Sequence, residues 1–438
     1  MSALLESSPQ TFIDQLRDVG GRGYVVRRAG SGALEASHPV LDPIRELCEQ
    51  DTRDFLDHEG LFFEVGPESG ALLSAFVHRT QRGQAAGGLR HWPYANVEAL
   101  VRDGLRLAVG MTRKNAMAGL WWGGGKGIIA RRDDVDWRDR GYRDQVYAEY
   151  GRFVSSLSGC YVTAEDVGTT PIDMRAVFST TRHTTCIPPA VGGSGNPSGP
   201  TALGVVSAME AALDVRGMGT LEGKTIAMQG AGNVATFMMQ ALVERRVGSI
   251  IASDINEARL AELRARFEGA PIEFRHCAPD DLSIFGTPCD VFAPNALGGV
   301  LNPDTIGRLR TGIVCGAANN QLLDDNRDMD ALVEREILYV PDFVANRMGI
   351  VNCANEAYGD VPDDPVVEQH LGRDWEQSVF NATRRVLLSA KETGQTTAAA
   401  ANALADELSQ QLHPIWPLRG QQIIEGLVTR GWAQSSPR

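Results

Sequence analysis

The sequence predicts an α/β protein whose second half folds as a doubly wound, mostly parallel sheet covered by helices, with a separate α/β domain before it. Three observations predict this. Strand and helix signals alternate from about Thr201 onward, the mark of parallel strands joined by helical crossovers. One of those strands, KTIAMQ, runs straight into a glycine turn and then a helix. The loop-like stretch CIPPAVGGSGNPSGP, Cys186 to Pro200, separates this region from what precedes it.

In chain order, residues 1 to 58 hold an apolar patch, Gly20 to Val26, and a charged stretch, Glu46 to Asp57, that suits a solvated helix; they are set apart as an N-terminal extension of unread role. Strand texture begins at Leu61, and Ala71 to His78 is a second strand. Val97, Leu100, Val101, Leu105 and Ala108 recur at helical spacing behind Asn96, a residue suited to an N-cap. Val146, Tyr150, Phe153, Val154 and Leu157 mark another helix, its aromatics read as core. Past the linker come a helix from Thr201 to Leu213, a strand from Lys224 to Met228 and a helix from Asn233 to Glu244. Strands follow at Ser249 to Ser253, Asp290 to Phe292, Gly312 to Cys315 and Ile337 to Val340, and the Ala-rich stretch Thr397 to Gln411 is helical.

The 438 residues, at about 150 per domain, leave room for two or three domains. A net charge of -13 works against a nucleic-acid or anionic-membrane partner, each of which needs a basic patch. No signal-like start and no segment of 18 uninterrupted apolar residues is present, so the expectation is a cytoplasmic protein. Seven widely spaced cysteines without a CxxC pair, and eight scattered histidines without HExxH, give no metal site and read as reduced, buried residues. The basic residues carry a sharper signal: 38 are arginine and only four are lysine, Lys114, Lys126, Lys224 and Lys391. A guanidinium keeps its proton, so a lysine that survives this bias suits chemistry in which a proton must leave, although a solvated face explains any single one.

In GAGNVA the glycines Gly230 and Gly232 and the alanine Ala235 make a G-x-G-x-x-A turn between a strand and a helix. The first glycine permits the tight turn, the second lets a pyrophosphate approach the backbone, and the helix start offers amide donors. A second strand, GSIIASD, ends in Asp254, 22 residues past Gly232, where a carboxylate accepts hydrogen bonds from ribose hydroxyls and repels a 2′-phosphate. The coenzyme expected is NAD. Upstream, Lys126 follows Gly123, Gly124 and Gly125, a run that strips side chains from its neighbourhood so that a ligand could approach closely. Glu165 and Asp166 follow a short apolar strand in YVTAEDVGTTP. A lysine near an enclosed aspartate makes an acid/base pair at neutral pH, given burial and a second lysine to lower one ammonium pKa.

Together these stretches resemble the Glu/Leu/Phe/Val dehydrogenases. The likeness runs from about Phe62 to at least Gly359 and rests on GGLR, GMTRKNA..GL..GGGK, TAEDVGTT, GAGNVA, FAP.ALGG, GAANNQL and PDFVAN. The resemblance implies two domains around a cleft: a Rossmann NAD-binding domain over residues 189–388, and a discontinuous α/β catalytic and oligomerisation domain over 59–188 with 389–438. It implies reversible oxidative deamination of an L-amino acid to its 2-oxo acid and ammonia, by a homo-oligomer. By resemblance Lys126 and Asp166 are the catalytic pair, Lys114 binds the substrate α-carboxylate with the backbone at Gly88, and Thr201, Asn319, Asn320, Asn233 and Val234 are coenzyme contacts. The side-chain pocket falls on Ala86, Ala164, Ile350 and Cys353; glutamate-taking members carry a lysine where Ala86 stands, so an apolar substrate is expected. Two stretches depart from the family pattern, Arg347-Met348 and Trp121-Trp122, the first bringing a cation that either pairs with an acidic neighbour or meets a second substrate carboxylate. A specialised biosynthetic dehydrogenase of the same fold and a non-catalytic NAD-binding regulator stand as alternatives.

Overall fold

The computed structural model describes residues 3–359, 361 and 364–437; Met1, Ser2 and Arg438, at the ends of the expected segments, lie outside the described residues. The chain divides into two compact units. The first is Met1–Asn196 with Cys353–Asp360 and Asp406–Arg438, the second Pro197–Asn352 with Val361–Ala405.

The first unit is built on seven strands: β1 (Arg22–Arg27), β2 (Leu34–Ala36), β3 (Gly60–Val65), β4 (Leu72–Arg79), β5 (Ala85–Trp92), β6 (Gly123–Ala130) and β7 (Tyr161–Glu165). They lie in the order β2-β1-β3-β4-β6-β5-β7. Pairing is antiparallel from β2 to β6 and parallel where β5 sits between β6 and β7. The long helix Val97–Met117 starts at Asn96, whose side chain accepts from the Ala99 N–H, and buries the predicted apolar face against this sheet. Both β5 and β6 escape sequence reading for one reason: their glycines carry no side chains from which a period of two could be seen.

The described part of the expected N-terminal extension, residues 3 to 58, is part of this core. β1 pairs with β3 from Arg22↔Glu64 to Val26↔Gly60, and the helix Pro9–Asp18 buries Phe12, Ile13 and Leu16, with Phe12 edge-on to Phe63 at 5.4 Å. The charged stretch Glu46 to Asp57 is helical only to Gln50, because the Asp51 carboxylate accepts the N–H groups of Arg53, Asp54 and Phe55 and turns the chain out of the helix. At the other end of the sequence Trp432 stacks edge-on to Phe62 at 5.5 Å and donates its indole N–H to Ser156 Oγ at 3.0 Å.

The second unit holds six parallel strands, β8 (Thr225–Gln229), β9 (Ser249–Asp254), β10 (Ile272–His276), β11 (Val291–Pro294), β12 (Ile313–Val314) and β13 (Leu338–Tyr339). Their order, β10-β9-β8-β11-β12-β13, is the doubly wound 3-2-1-4-5-6 arrangement of a Rossmann sheet. Only the partly exposed edge strand β10 has no counterpart in the sequence reading. The helix Val379–Thr393 packs along Ser198–Val215, so the return to the first unit falls after Ala405 and not at residue 388. No described helix is long and apolar enough to cross a membrane, and no group of three or more His, Cys, Asp or Glu among the described residues could hold a metal ion.

Three buried imidazoles predict an acid-sensitive fold. His58 receives the Leu56 N–H on Nδ1 at 3.3 Å and donates from Nε2 to the Leu105 carbonyl at 3.0 Å, which suits the neutral ring. Burial pushes His58 down to about 4, and His91 and His370 down to about 3, from 6.5. The folded values lie below the unfolded one, so the fold disfavours protonation: this contribution is intact above pH 6.5 and is lost as pH falls toward the folded values. By pH 5 His58 alone should cost about 2 kcal/mol. Urea midpoints at pH 7.5 and pH 5 for the unaltered protein and for His58→Gln measure this, because Glu64 and Glu165, lifted to about 7 by burial, shift stability the opposite way over the same range. The same pH dependence in both proteins would refute it.

Candidate active site

Three neighbouring strands of the first unit bring together the residues expected to carry the chemistry. Side chains alternate along a strand, so Ala86 and Gly88 of β5 share a face with Lys126 of β6 and Ala164 of β7, as the registers Ala86↔Gly124 and Gly88↔Ala164 require. Asp166 follows directly on β7, where Thr169 Oγ accepts the Asp166 N–H at 2.8 Å and donates to its carbonyl at 2.7 Å, closing a turn. Gly88 makes room for it: a Cβ there would stand 2.6 Å from the Asp166 Cβ and 2.9 Å from the Glu165 carbonyl oxygen.

Lys126 Nζ donates to Asp166 Oδ2 at 2.6 Å, with 5% of the lysine side chain and 15% of the aspartate side chain exposed. Burial lowers the Lys126 ammonium pKa below its ordinary value, Asp166 opposes this, and the Arg90 guanidinium adds to the lowering. For Asp166, burial raises the carboxyl, but Lys126 and Arg90 together outweigh it and hold the group down at about 2. The pair is therefore ionic at neutral pH, with a proton that is easier to remove from the lysine than from an exposed one. One cation acting here, which the sequence reading did not name, is Arg90, its Nε 3.3 Å from Asp166 Oδ2. Arg90 was visible in GGLR but had no role assigned to it.

Lys114 lies in the last turn of Val97–Met117 and is half-buried. The next residue, Asn115, fixes that helix end by donating from Nδ2 to the carbonyls of Ala86 at 3.2 Å and Gly123 at 2.5 Å. This fully buried anchor was not anticipated; a lone Asn in a helical pattern gives no signal. The triple glycine is not an open approach to Lys126. It is the interior of β6, and methyl groups at Gly123, Gly124 and Gly125 would fall within 3.0 Å of Arg79, Thr112 and Tyr161, respectively. The glycines serve close packing of strand on helix and strand.

Of the remaining pocket candidates, Ala86 and Ala164 are buried on the Lys126 face, and Cys353 is buried in the first unit with its Sγ 2.8 Å from that of Cys186. Ile350 is buried in the second unit. Arg347 is withdrawn from solvent, donates to the Gln377 carbonyl and is pushed down to about 9 by burial. Trp121 is an exposed surface residue, with the Arg82 guanidinium 4.4 Å over its ring and the His413 ring 5.7 Å away; Trp122 is half-buried.

In the second unit β8 leads through Gly230, Ala231 and Gly232 into the helix Asn233–Glu244. Gly230 has φ +98, a left-handed conformation that glycine adopts without strain, and a Cβ there would crowd Ala296. Gly232 and Asn233 are exposed, Val234 is half-buried, and nothing lies within 4 Å of a Cβ placed on Gly232. The helix start thus presents open backbone to a ligand, which fits a pyrophosphate. Asp254 ends β9 and is half-buried; its Oδ2 accepts the Ala231 N–H at 2.8 Å and its Oδ1 the Asn256 N–H at 2.9 Å, which holds the carboxylate beside the turn. Thr201 is half-buried in the first turn of Ser198–Val215. Asn319 Oδ1 accepts from Asn346 Nδ2 at 2.7 Å, and Asn320, at φ 51, donates its N–H to Asp342. Asn346 and Asp342, which pin this loop, lie in PDFVAN without having been singled out.

The chain matches known proteins over both units. A family model described as "Glutamate/Leucine/Phenylalanine/Valine dehydrogenase" matches residues 192–411, and "Glu/Leu/Phe/Val dehydrogenase, dimerisation domain" matches 70–183. A leucine dehydrogenase of Bacillus subtilis (strain 168) is 40% identical over 357 residues, 81% of this chain and 92% of that protein. A phenylalanine dehydrogenase of Caldalkalibacillus thermarum is 32% identical over 359 residues, 81% of this chain and 92% of that protein. The crystal structure of L-tryptophan dehydrogenase from Nostoc punctiforme superposes with a TM-score of 0.66 at 32% identity, covering 84% of this chain and 98% of that one.

Proposed function

The chain belongs to the glutamate/leucine/phenylalanine/valine dehydrogenase family, an amino acid dehydrogenase dependent on a nicotinamide coenzyme, and from that premise we propose that it oxidatively deaminates an apolar L-amino acid with NAD. The balanced reaction is L-amino acid + NAD+ + H2O giving 2-oxo acid + NH4+ + NADH + H+, and the reverse aminates the 2-oxo acid. The observation that carries this reading is the buried Lys126–Asp166 pair on a sheet face whose neighbouring positions, Ala86 and Ala164, are small and uncharged. Relatives named for leucine, phenylalanine and tryptophan support an apolar side chain.

The roles are those the family resemblance implies, and charge and geometry at Lys126 and Asp166 support them. The Lys114 ammonium holds the substrate α-carboxylate. Asp166, kept ionised by its two cationic neighbours, takes a proton from the substrate ammonium so that the nitrogen lone pair becomes available. Lys126, its ammonium weakened by burial, gives up its proton and activates the water that attacks the imine carbon. NAD, when bound, supplies the two-electron oxidation of the substrate Cα–N bond. Gly230, Gly232, Asn233, Val234 and Asp254 would hold its pyrophosphate and adenosine ribose, and Thr201, Asn319 and Asn320 its nicotinamide end. We also propose that the protein works as a homo-oligomer assembled through residues 70–183, the region matched by the dimerisation model.

Following NADH oxidation with ammonia and a panel of 2-oxo acids tests the reaction and the substrate class together. Branched-chain or aromatic 2-oxo acids should be consumed at least about 100-fold faster, in kcat/KM, than 2-oxoglutarate, because nothing at Ala86 offsets burial of a second carboxylate. No turnover with any acid would overturn the proposal. The coenzyme assignment has its own test. NADH should be preferred over NADPH by about 100-fold through repulsion at Asp254, and Asp254→Ser should narrow that ratio. Preference for NADPH in the unaltered protein would sink the role given to Asp254.

A further inference from the structure

We propose that Arg90, anchored by Asp103 and Tyr94, is a positioning residue that sets the protonation balance of the Lys126–Asp166 pair. This rests on the reading of Lys126 and Asp166 as the proton-handling groups. Arg90 projects from β5 between two carboxylates. Its Nε lies 3.3 Å from Asp166 Oδ2 and its Nη1 3.0 Å from Asp103 Oδ2. Asp103 is itself held, receiving the Tyr94 hydroxyl on Oδ2 at 2.7 Å and Arg106 Nη2 on Oδ1 at 2.8 Å. Only 18% of the Arg90 side chain and 11% of the Asp103 side chain are exposed, so water screens these charges weakly. A planar guanidinium spans two acids with separate N–H groups, which a lysine in its place would not do.

The consequence is a shared charge. Lys126 and Arg90 converge on one oxygen of Asp166, and the two cations repel each other across it. Arg90 thereby favours the carboxylate at Asp166 and disfavours the ammonium at Lys126, the two states that deamination needs at its outset. Asp103 acts in the opposite sense at Lys126, its negative charge favouring the ammonium. Other ionisable groups that feel the Asp166 charge are Glu165, the residue before it, and the hydroxyls of Tyr94 and Tyr161. Burial, with the Asp166 charge adding to it, lifts Glu165 to about 7, so it titrates within the neutral range and its negative charge, once formed, acts against Arg90 at Asp166.

The pH dependence of kcat/KM for deamination distinguishes this from a purely structural role. Arg90→Met should move the acid limb of the profile to higher pH by about one unit, because both Asp166 and Lys126 then bind protons more tightly. Arg90→Lys should restore part of the shift. Asp103→Asn should move the limb the other way, to lower pH. NADH affinity should stay near that of the unaltered protein in all three, since the coenzyme residues belong to the second unit. An unmoved limb in folded Arg90→Met overturns the proposal whatever the loss of rate. If that variant fails to fold, an unmoved limb in Asp103→Asn does the same. The underlying reading fails separately, through normal turnover in Lys126→Ala.

Discussion

Lys126→Ala is expected to lower deamination turnover by about 10³- to 10⁴-fold while leaving NADH affinity within about twofold. The size follows from removing a positioned acid/base group from a buried site that solvent base does not easily enter. A methyl group at 126 also strips Asp166 of its nearest cation, leaving a buried carboxylate with Arg90 alone, so substrate binding should weaken as well. NADH affinity is the control, because the residues proposed for the coenzyme all sit in the second unit. Lys126→Arg sharpens the test: it keeps the positive charge beside Asp166 but cannot release a proton, so it should be nearly as inactive as the alanine variant. Lys114→Ala should behave differently, raising the substrate KM by about 10- to 100-fold with a smaller effect on kcat, the loss of one charge-assisted hydrogen bond. Normal turnover in Lys126→Ala, or full activity in Lys126→Arg, would remove the mechanism. In the unaltered protein the neutral fraction of Lys126 grows as pH rises toward its folded pKa, which lies below 10.5, so deamination should accelerate with pH across the neutral range.

What could be read in the sequence, and what could not, divides by physical cause. The Rossmann unit was legible because each of its buried strands is a short apolar run bounded by a turn, and because Gly230 and Asp254 mark the first crossover. The sheet around Lys126 was half legible. Its helix declared itself through five periodic apolar residues, whereas β5 and β6 are glycine-rich and show no alternation. Residues 1 to 58 looked detached because β1, itself paired with its near neighbour β2, closes on β3 across a long sequence separation, which local patterning cannot reveal. The proposed catalytic pair emerged from two lysines that survived an arginine-rich composition and from an aspartate in TAEDVG. Arg90 and Asp103 did not, because in a chain of 38 arginines one more arginine carries no information. Only the tertiary fold sets it between two acids.

Gly124→Ala tests the reason given for the triple glycine, and it is expected to destabilise the first unit by about 3 kcal/mol or more, with little folded protein recovered. A methyl on Gly124 points at the helix Val97–Met117 and would overlap Thr112 at its N, Cα and Oγ1 atoms, nearer than 3.0 Å. Two of these are backbone atoms of a 21-residue helix whose end is tied to β5 and β6 through Asn115, so neither element can step aside cheaply. The helix also carries Lys114, and any displacement would carry that residue with it. The same substitution in the other glycine motif should give the opposite result. At Gly232, where φ is −70 and nothing lies within 4 Å, an alanine should leave the melting temperature nearly unchanged and instead weaken NADH binding, because its methyl occupies space left to the pyrophosphate. Thermal melts and NADH titrations on the two variants therefore separate two uses of glycine, packing in β6 and ligand approach at the helix start. A stable Gly124→Ala protein with weakened substrate binding would return the triple glycine to the role of a ligand approach.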